Sequence, residues 1–265
     1  MDILETIVAA KKKEIEKFKP LSNIDRFIRD GFFWEIANRS LKQSLLADGS
    51  TGIIAEFKRK SPSKGWFKTK KLEVESVVVS YNKFAAGISV LTDGEFFGGD
   101  LDDLIQTKVI TDIPVLRKDF IIDEWQIAEA KAFGADVILL IAACLTKAEV
   151  KKMASFTKSI GLESLLEIHN EEELGHICDE VDMVGVNNRN LKTFEVDVRT
   201  SLELIDKIPT GKPAISESGI SNVETILTLK EAGFKGFLMG ETFMKEAEPG
   251  IAFEQFVTKF KNKQV

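Results

Sequence analysis

The sequence contains few of the residues that build disulfide frameworks and metal centres. Its 265 residues include only two cysteines and two histidines. Cys144 and Cys178 are too few for a disulfide framework, and they lack the spacing of metal ligands. His169 and His176 are seven positions apart, and no third ligand lies near them in the sequence. We therefore expect no metal site.

Long apolar runs, a leader segment and an excess of basic residues are also lacking. No apolar run approaches the roughly 20 residues of a membrane-spanning helix. Residues 1–5 lack the basic and apolar regions of a secretory signal. The net charge of −6 and the pI near 5.3 argue against general affinity for nucleic acid. We expect a cytoplasmic protein without membrane or nucleic-acid partners, although local donors can still bind a small phosphorylated anion.

Eight short apolar runs alternate with segments of helical periodicity from residue 52 onward. Short apolar runs are typical of buried parallel strands, and the alternation indicates crossover helices between them. The predicted strands are residues 52–57, 88–91, 114–116, 137–141, 164–168, 183–186, 213–215 and 236–239. Eight such units favour a closed (β/α)8 TIM barrel, an α/β fold. An open doubly wound sheet is the alternative, but no Gly-x-Gly-x-x-Gly follows the first strand.

The first 50 residues are predicted to form a helical extension of the barrel. Apolar residues such as Ile3, Ile7 and Ile15 recur at helical spacing. The run from Lys11 to Lys13 is interpreted as the solvated face of this helix. We expect one domain over residues 1–265, in which residues 1–50 pack on the barrel proper of residues 51–265.

Charged or amide side chains recur at the C-terminal ends of five predicted strands. A charge in this position is costly to desolvate unless it is paired or used. Active sites of (β/α)8 barrels lie at the C-terminal ends of the strands, so these groups together predict one polar site and an enzyme. In strand order they are Glu56 and Lys58, Lys118, Glu167, Asn187 and Arg189, and Glu217.

The spacing of these residues predicts which of them share a face. Glu56 and Lys58 are two positions apart, and Lys118 is two positions from Leu116, so each pair shares one face of its strand. A partly desolvated Lys118 can be a general acid or a Schiff-base nucleophile with a lowered pKa. Glu167 is either an acid–base group with a raised pKa or the partner of a buried lysine. For each group, the alternative is an ordinary polar strand end.

Two further features suit an anion. The loop Arg59–Gly65 is rich in hydrogen-bond donors, which suits a phosphate or a carboxylate, although basic loops are common. Gly219 and Gly240 follow the seventh and eighth strands, where barrels often bind phosphate through backbone N–H groups. Ordinary turns that need glycine are the alternative at these two positions.

Seven sequence motifs lie at or near the predicted strand ends. They are EFKRKSPSKG at 56–65, SVLTD at 89–93, FFGG at 96–99, RKDFI at 117–121, LEI at 166–168, GVNNRNL at 185–191 and SESGI at 216–220. Taken together, these motifs resemble those of indole-3-glycerol-phosphate synthase, an enzyme family of tryptophan biosynthesis. The resemblance covers essentially the whole chain, including the helical extension.

The resemblance implies a lyase that closes a ring without a metal or an organic cofactor. The implied reaction converts 1-(2-carboxyphenylamino)-1-deoxyribulose 5-phosphate to indole-3-glycerol phosphate, CO2 and water. By the same resemblance, Lys118 is the general acid at the ribulose carbonyl and Glu167 is the general base for later proton removal. Glu56 and Asn187 position and polarise these two groups.

The remaining roles also follow from the resemblance. Lys58 is implied to neutralise the substrate carboxylate and to deliver a proton during dehydration, and Glu217 is a further site carboxylate. The implied substrate is a phosphorylated small molecule. Its matched contacts are Ser61, Gly219 and Gly240 with backbone help from Ser218 and Glu241 for the phosphate, Arg189 for the carboxylate, and Phe97, Phe120, Leu139 and Leu191 for the aromatic ring.

Three residues depart from the family pattern or fit it poorly. Phe57 and Lys60 stand where members often carry a smaller aliphatic residue and an alanine. Both are predicted to lie off the catalytic face and to affect only packing or loop charge. The carboxylate of Glu241 would repel a phosphate, so only its backbone N–H is expected to help.

Two alternative functions use the same barrel. One is a Schiff-base aldolase with Lys118 as the nucleophile, and the other is a non-catalytic sugar-phosphate sensor. For the assembly state, we expect a monomer or a weak homodimer.

Overall fold

A closed barrel of eight parallel strands forms the centre of the computed structural model, which describes residues 3–68, 72–191 and 193–263. Each strand pairs with its neighbours in the sequence, and the eighth closes on the first. This confirms the predicted (β/α)8 barrel. The strands are β1 Ile53–Phe57, β2 Gly87–Leu91, β3 Val115–Lys118, β4 Val137–Ile141, β5 Glu163–Ile168, β6 Met183–Asn187, β7 Ala214–Glu217 and β8 Gly236–Met239.

Helices surround these strands, and the short helix Leu41–Leu46 packs at the N-terminal end of the barrel. The α-helices in the described part of the chain are Ile3–Phe18, Ile24–Asp30, Leu41–Leu46, Glu75–Asn82, Gly94–Phe97, Leu101–Ile110, Glu124–Ala132, Lys147–Ser159, Arg199–Leu204, Val223–Glu231, Glu241–Met244 and Pro249–Asn262. Short 3-10 helices span Lys19–Leu21, Ala142–Cys144, Glu171–His176 and Ile205–Lys207. Between β5 and β6 the only helical segment is therefore a 3-10 helix, where the sequence had indicated an ordinary crossover helix.

The alternation of side chains along each strand separates two layers. Ile54, Leu116, Leu165 and Ile215 are buried together inside the barrel, whereas Phe57 packs with the helices outside. Charged residues two positions beyond the interior residues therefore point into the mouth of the barrel. Three strands also run further than the sequence predicted, because β3, β6 and β7 end at Lys118, Asn187 and Glu217.

The loop after β1 contains a short antiparallel hairpin. It pairs Lys60–Ser61 with Gly65–Trp66. The ammonium group of Lys60 donates to the carbonyl oxygen of Glu95 (2.6 Å) and lies 5.6 Å from the centroid of the Trp66 ring. Lys60 thus lies off the mouth, as predicted, and joins two loops.

The interpretation of Lys11 as a solvated residue is wrong. Lys11 is 2% exposed. Its Nζ lies 3.0 Å from Asp119 Oδ1 and 3.1 Å from Asp93 Oδ2. Burial alone would lower the pKa of Lys11, but the neighbouring carboxylates outweigh burial and raise it. The spacing Ile7, Lys11, Ile15 places all three on one helix face, so the extension is attached to the barrel by a buried cation as well as by apolar contacts.

Substitution of Lys11 by methionine is expected to lower the free energy of unfolding by about 3–5 kcal/mol. The physical reason is that two buried carboxylates, Asp93 and Asp119, lose their shared counter-ion. Urea unfolding followed by circular dichroism measures the change. The exposed neighbour Lys12 offers the control, since Lys12→Met is expected to change the same quantity by less than about 0.5 kcal/mol. Equal losses in the two variants would contradict this assignment.

Candidate active site

A cavity of about 510 Å³ opens at the C-terminal ends of the barrel strands. All the predicted catalytic and substrate-binding residues line it. The alternation of side chains along a strand explains why the catalytic group faces the cavity. Each member lies at or near the C-terminal end of a strand, on its inward face. The catalytic group is Glu56, Lys58, Lys118, Glu167, Asn187 and Glu217; the substrate-binding group is Ser61, Phe97, Phe120, Leu139, Arg189, Leu191, Ser218, Gly219, Gly240 and Glu241.

Lys118 lies at the centre of the polar floor. Its Nζ is 2.9 Å from Glu167 Oε2 and 3.6 Å from Glu217 Oε2. The amide of Asn187 donates to Glu167 Oε1 (3.1 Å), which leaves Glu167 held at both oxygens. A second lysine–glutamate pair lies beside the first, with Lys58 Nζ donating to Glu56 Oε1 (2.6 Å).

The pKa of Lys118 differs from the lowered value that the sequence suggested. Burial alone would lower the pKa of Lys118, but Glu167, Glu217 and Glu56 outweigh it and raise that pKa. Burial would likewise raise the pKa of Glu167, but Lys118 and His169 hold it well below its usual range. The lowered lysine pKa that the sequence suggested is therefore wrong, because Lys118 is surrounded by carboxylates rather than by cations. Of the two alternatives for Glu167, the structure supports the partner of a buried lysine.

Glu217 is the carboxyl group with the raised pKa. It is 1% exposed, and its Oε1 has no hydrogen-bond partner among the described residues. Burial and the nearby carboxylates of Glu167 and Glu56 raise its pKa to about 8, against the opposing effect of Lys118. The surroundings of Glu217 thus favour its protonated form, whereas Lys118 and His169 favour the ionised form of Glu167.

Two glycines make room for these carboxylates. A side chain at position 185 would collide with the carboxylate of Glu217, and one at position 240 would collide with that of Glu56. Gly185 and Gly240 thus allow the polar floor to close. Gly185 lies on β6 next to β7, a relation that depends on the strand register.

The end of the cavity near β7 and β8 contains the predicted phosphate contacts. Ser218 and Gly219 both have positive φ, 67° and 77°, which turns the chain sharply after β7. The carboxylate of Glu241 lies 3.1 Å from Lys64 Nζ and 3.6 Å from a terminal nitrogen of Arg189. The carboxylate of Glu241 therefore offsets part of the positive charge of Lys64 and Arg189.

Apolar side chains line the opposite end. The rings of Phe97 and Phe120 lie 6.1 Å apart between centroids and are tilted by 35°. Sequence analysis missed the contribution of the N-terminal helix, whose residues Ile3, Leu4 and Ile7 also line the cavity. Their helical spacing indicated a buried face, but only the packing of the extension shows that part of this face covers the mouth.

His169 follows β5 directly and lies beside Glu167. Its Nε2 is 3.2 Å from Glu167 Oε1, and its Nδ1 is 3.2 Å from Glu173 Oε2. His176 lies apart from this group, with its ring nitrogens 3.1 Å from the carbonyl oxygens of Glu173 and Leu145. Within residues 3–68, 72–191 and 193–263, no cluster of His, Cys, Asp or Glu could hold a metal ion.

In the part of the chain with described structure, none of the helices has both the length and the apolar character to cross a bilayer.

Comparison with known proteins identifies the family. A family model described as indole-3-glycerol phosphate synthase matches residues 4–256. A protein of that name from Bacteroides thetaiotaomicron is 47% identical over 259 residues, covering 97% of this chain and 98% of the relative. Another from Caldanaerobacter subterraneus subsp. tengcongensis is 42% identical over 259 residues, with the same two shares.

Solved structures support the fold. A mutant tryptophan synthase α-subunit from Pyrococcus furiosus matches with a TM-score of 0.61 at 16% identity, covering 80% of this chain and 98% of that one. The 3-hexulose-6-phosphate synthase of Salmonella typhimurium matches with a TM-score of 0.59 at 12% identity, covering 79% and 100%. At these identities the similarity concerns the barrel alone. Because its sequence matches the family model and these relatives along nearly its whole length, the chain belongs to the indole-3-glycerol phosphate synthase family.

Proposed function

We propose that this chain closes the indole ring of indole-3-glycerol phosphate. The substrate is 1-(2-carboxyphenylamino)-1-deoxyribulose 5-phosphate, and the other products are CO2 and water. The observation that carries the proposal is the buried pair of Lys118 and Glu167, 2.9 Å apart, in a cavity with an aromatic end and a cationic end. A lysine and a glutamate supply an acid and a base without any cofactor.

The shape of the cavity suits an elongated substrate with an anion at each end. The phosphate lies near Ser61, Gly219 and Gly240, and the aromatic ring packs against the side chains of Phe97 and Phe120. Held in this way, the aromatic carbon that bears the carboxylate faces the ribulose carbonyl carbon. Clamping both ends replaces a rare encounter of the two carbons by a fixed approach, which lowers the entropic part of the barrier.

The first step forms the new carbon–carbon bond. Lys118 gives a proton to the carbonyl oxygen while the aromatic carbon attacks the carbonyl carbon. The carboxylate then leaves as CO2, and its bonding electrons restore the aromatic ring. Lys58 lies in the cavity as a cation for the carboxylate before it leaves, whereas Arg189, which was expected to bind that carboxylate, lies beside Glu241 at the phosphate end.

The second step removes water. The new hydroxyl group leaves as water with a proton from Lys58, and Glu167 takes a proton from the adjacent methylene carbon. Two protons are given and one is taken, so each turnover takes up one proton from solvent. Because Glu167 touches Lys118 directly, the abstracted proton can return to the amine that lost one.

Protonated Glu217 limits the negative charge around Lys118. Were Glu56, Glu167 and Glu217 all ionised, the proton of Lys118 would be held more tightly and the lysine would be a weaker acid. We assign Glu56 and Asn187 the task of orienting Lys58 and Glu167, based on their hydrogen bonds to these two residues.

The aldolase alternative is less well supported by the site. A Schiff base needs a neutral amine, whereas the carboxylates around Lys118 raise its pKa and keep it charged. Borohydride reduction in the presence of substrate tests this point, because a covalent adduct at Lys118 would favour the aldolase. The sensor alternative predicts tight binding of the carboxyphenylamino substrate with no turnover.

Appearance of the fluorescent indole product tests the function itself. Purified protein is mixed with the carboxyphenylamino deoxyribulose phosphate, and indole fluorescence and CO2 are followed together. Equal amounts of the two products are expected. Unchanged substrate in the presence of folded protein would refute the proposal.

The proposed setting is a single-domain enzyme in the cytoplasm that exists as a monomer or a weak homodimer. Sedimentation at several protein concentrations measures the assembly state. Limited proteolysis tests the single domain, since residues 1–50 packed on the barrel should be released only with loss of the whole fold.

Substitution of Glu241 by glutamine is expected to strengthen substrate binding. The carboxylate of Glu241 pairs with Lys64 and Arg189 and lies at the phosphate end, so its removal frees two cations and a repulsive charge. We expect KM to fall by about two- to fivefold with little change in kcat, since interactions of exposed charges are weak. Steady-state kinetics at low salt measures it, and 0.5 M salt should abolish most of the difference. A raised KM would mean that the carboxylate itself assists binding.

A further inference from the structure

His169 joins the catalytic base to a second carboxylate outside the active-site cavity. Its ring lies between Glu167 and Glu173, 3.2 Å from an oxygen of each. Glu173 is itself fixed, because its Oε2 accepts from the backbone N–H of His169 (2.8 Å) and its Oε1 from the side chain of Asn170 (3.1 Å). The His169 side chain is 9% exposed, so this row of three groups is largely shielded from water.

The ring carries a positive charge near neutral pH. Burial alone would lower the pKa of His169, but Glu167 and Glu173 outweigh it and raise the pKa to about 9. The Nε2 atom has no hydrogen-bond partner among the described residues, although it lies within ion-pair distance of Glu167. The contact with Glu167 is thus mainly one between opposite charges.

This charge acts on the opposite side of Glu167 from Lys118. Lys118 touches Oε2 and His169 lies near Oε1, so two cations share one carboxylate. A cation near Glu167 offsets part of the negative charge that binds the proton of Lys118. An acid surrounded by carboxylates gives up its proton more readily when that negative charge is partly neutralised.

We propose that His169 is a positioning residue that, as an imidazolium on Glu167, makes Lys118 a stronger acid. This inference rests on the proposed ring closure, in which Lys118 gives the first proton. It gives the histidine a role that none of the sequence motifs assigned, and it explains why a cationic ring is buried beside a base that already has a lysine partner.

A second cavity gives access to His169 without passing through the substrate site. It has a volume of about 760 Å³, and His169 and Glu173 line it, whereas Glu167 lines the first cavity. The wall between the two cavities includes Asn187 and Arg189. The charged and titratable groups that line the second cavity are Glu5, Cys144, His169, Glu173, Arg189, Glu195 and Asp197.

The first experiment is the pH profile of kcat in two matched variants. Glu173→Gln removes the outer carboxylate and should let His169 lose its proton nearer its ordinary pKa of about 6.5. The high-pH loss of kcat that follows His169 should then begin at least one pH unit lower than in the wild type. Glu172→Gln changes an exposed neighbour and should leave the profile unchanged. Glu217 also titrates near Lys118, but its effect is common to both variants.

The second experiment removes the imidazole ring of His169 and then supplies free imidazole from solution. We expect His169→Gly to lower kcat by about three- to tenfold with KM nearly unchanged, as a shift of up to about one pKa unit in Lys118 allows. Imidazole, entering through the second cavity, should restore part of kcat at pH 7. Pyrazole has a similar shape but is uncharged at that pH, and it should restore nothing.

The outcomes separate this inference from the proposed function. Wild-type protein without turnover would refute the function, whereas turnover with unchanged kcat in His169→Gly would refute only the role of His169. Equal rescue by imidazole and pyrazole would also overturn it, because shape rather than charge would then matter. If the glycine variant does not fold, the Glu173→Gln profile decides alone, and a profile identical to that of Glu172→Gln would overturn the inference.

Discussion

Substitution of Lys118 by methionine is expected to lower kcat by about 10²–10⁴-fold, the range of a lost general acid. Methionine keeps much of the side-chain volume but has no proton to give to the carbonyl oxygen. Since the proposed acid step precedes loss of CO2, the variant should release neither CO2 nor the indole product. Single-turnover assays that follow both products measure the effect.

The stability of the same variant should also depend on pH. In the wild type, Lys118 is the cation between Glu167 and Glu217. Without it, Glu167 still faces the cationic ring of His169. Burial and the nearby carboxylates then favour the protonated form of Glu217 still more strongly in the folded state, so the folded protein binds more protons than the unfolded one. Its free energy of unfolding should therefore fall as the pH rises above the ordinary glutamate pKa of about 4.3.

The control for this variant is Lys60→Met. Lys60 lies on the neighbouring loop, outside the cavity, and bonds to Glu95. Its loss should leave kcat unchanged. Near-normal turnover in folded Lys118→Met would refute the assignment of the acid. Measuring urea unfolding at pH 5 and at pH 8 ensures that turnover lost through unfolding is not mistaken for loss of the general acid.

Substitution of Glu167 by glutamine is expected to lower formation of indole product by about 10²–10⁴-fold. Glutamine has the same shape, and its oxygen can still accept from Lys118, but it cannot take the proton from the methylene carbon. The proposed base acts after CO2 has left. A single turnover should therefore release CO2 while the indole fluorescence stays low.

This separation of the two products distinguishes Glu167 from Lys118. Glu172→Gln is the control, because Glu172 is an exposed residue of the helical segment after β5. Its activity should equal that of the wild type. If Glu167→Gln lost CO2 release and indole formation to the same degree, the base would act in ring closure itself, and the proposed order of proton transfers would be wrong.

The inward-facing residues illustrate what the alternation of side chains along a strand can predict. Glu56, Lys118, Glu167 and Asn187 all line one cavity, as their positions after apolar runs indicated. This prediction is correct because side chains alternate strictly along a strand, and the C-terminal ends of the strands meet at one mouth. It cannot give the charge on each group, which depends on neighbours from other strands.

Lys11 and Glu217 illustrate that limit. Lys11 lies in a run of three lysines and differs from the other two only in which helix face it occupies. Its carboxylate partners are about 80 to 110 positions away in the sequence. Glu217 differs from Glu167 in pKa because Lys118 and His169 both face Glu167, whereas Glu217 lies farther from Lys118 and beside two other carboxylates.

By itself the sequence determined the barrel, the family and the set of residues at its mouth, because these depend on local periodicity and on motifs within single strands. Only the tertiary structure decided which carboxylate is ionised, that the N-terminal helix covers the cavity and that His169 lies between Glu167 and Glu173. The physical reason is that burial and Coulomb interactions depend on distances between strands and loops, and these distances exist only after the chain has closed into a barrel.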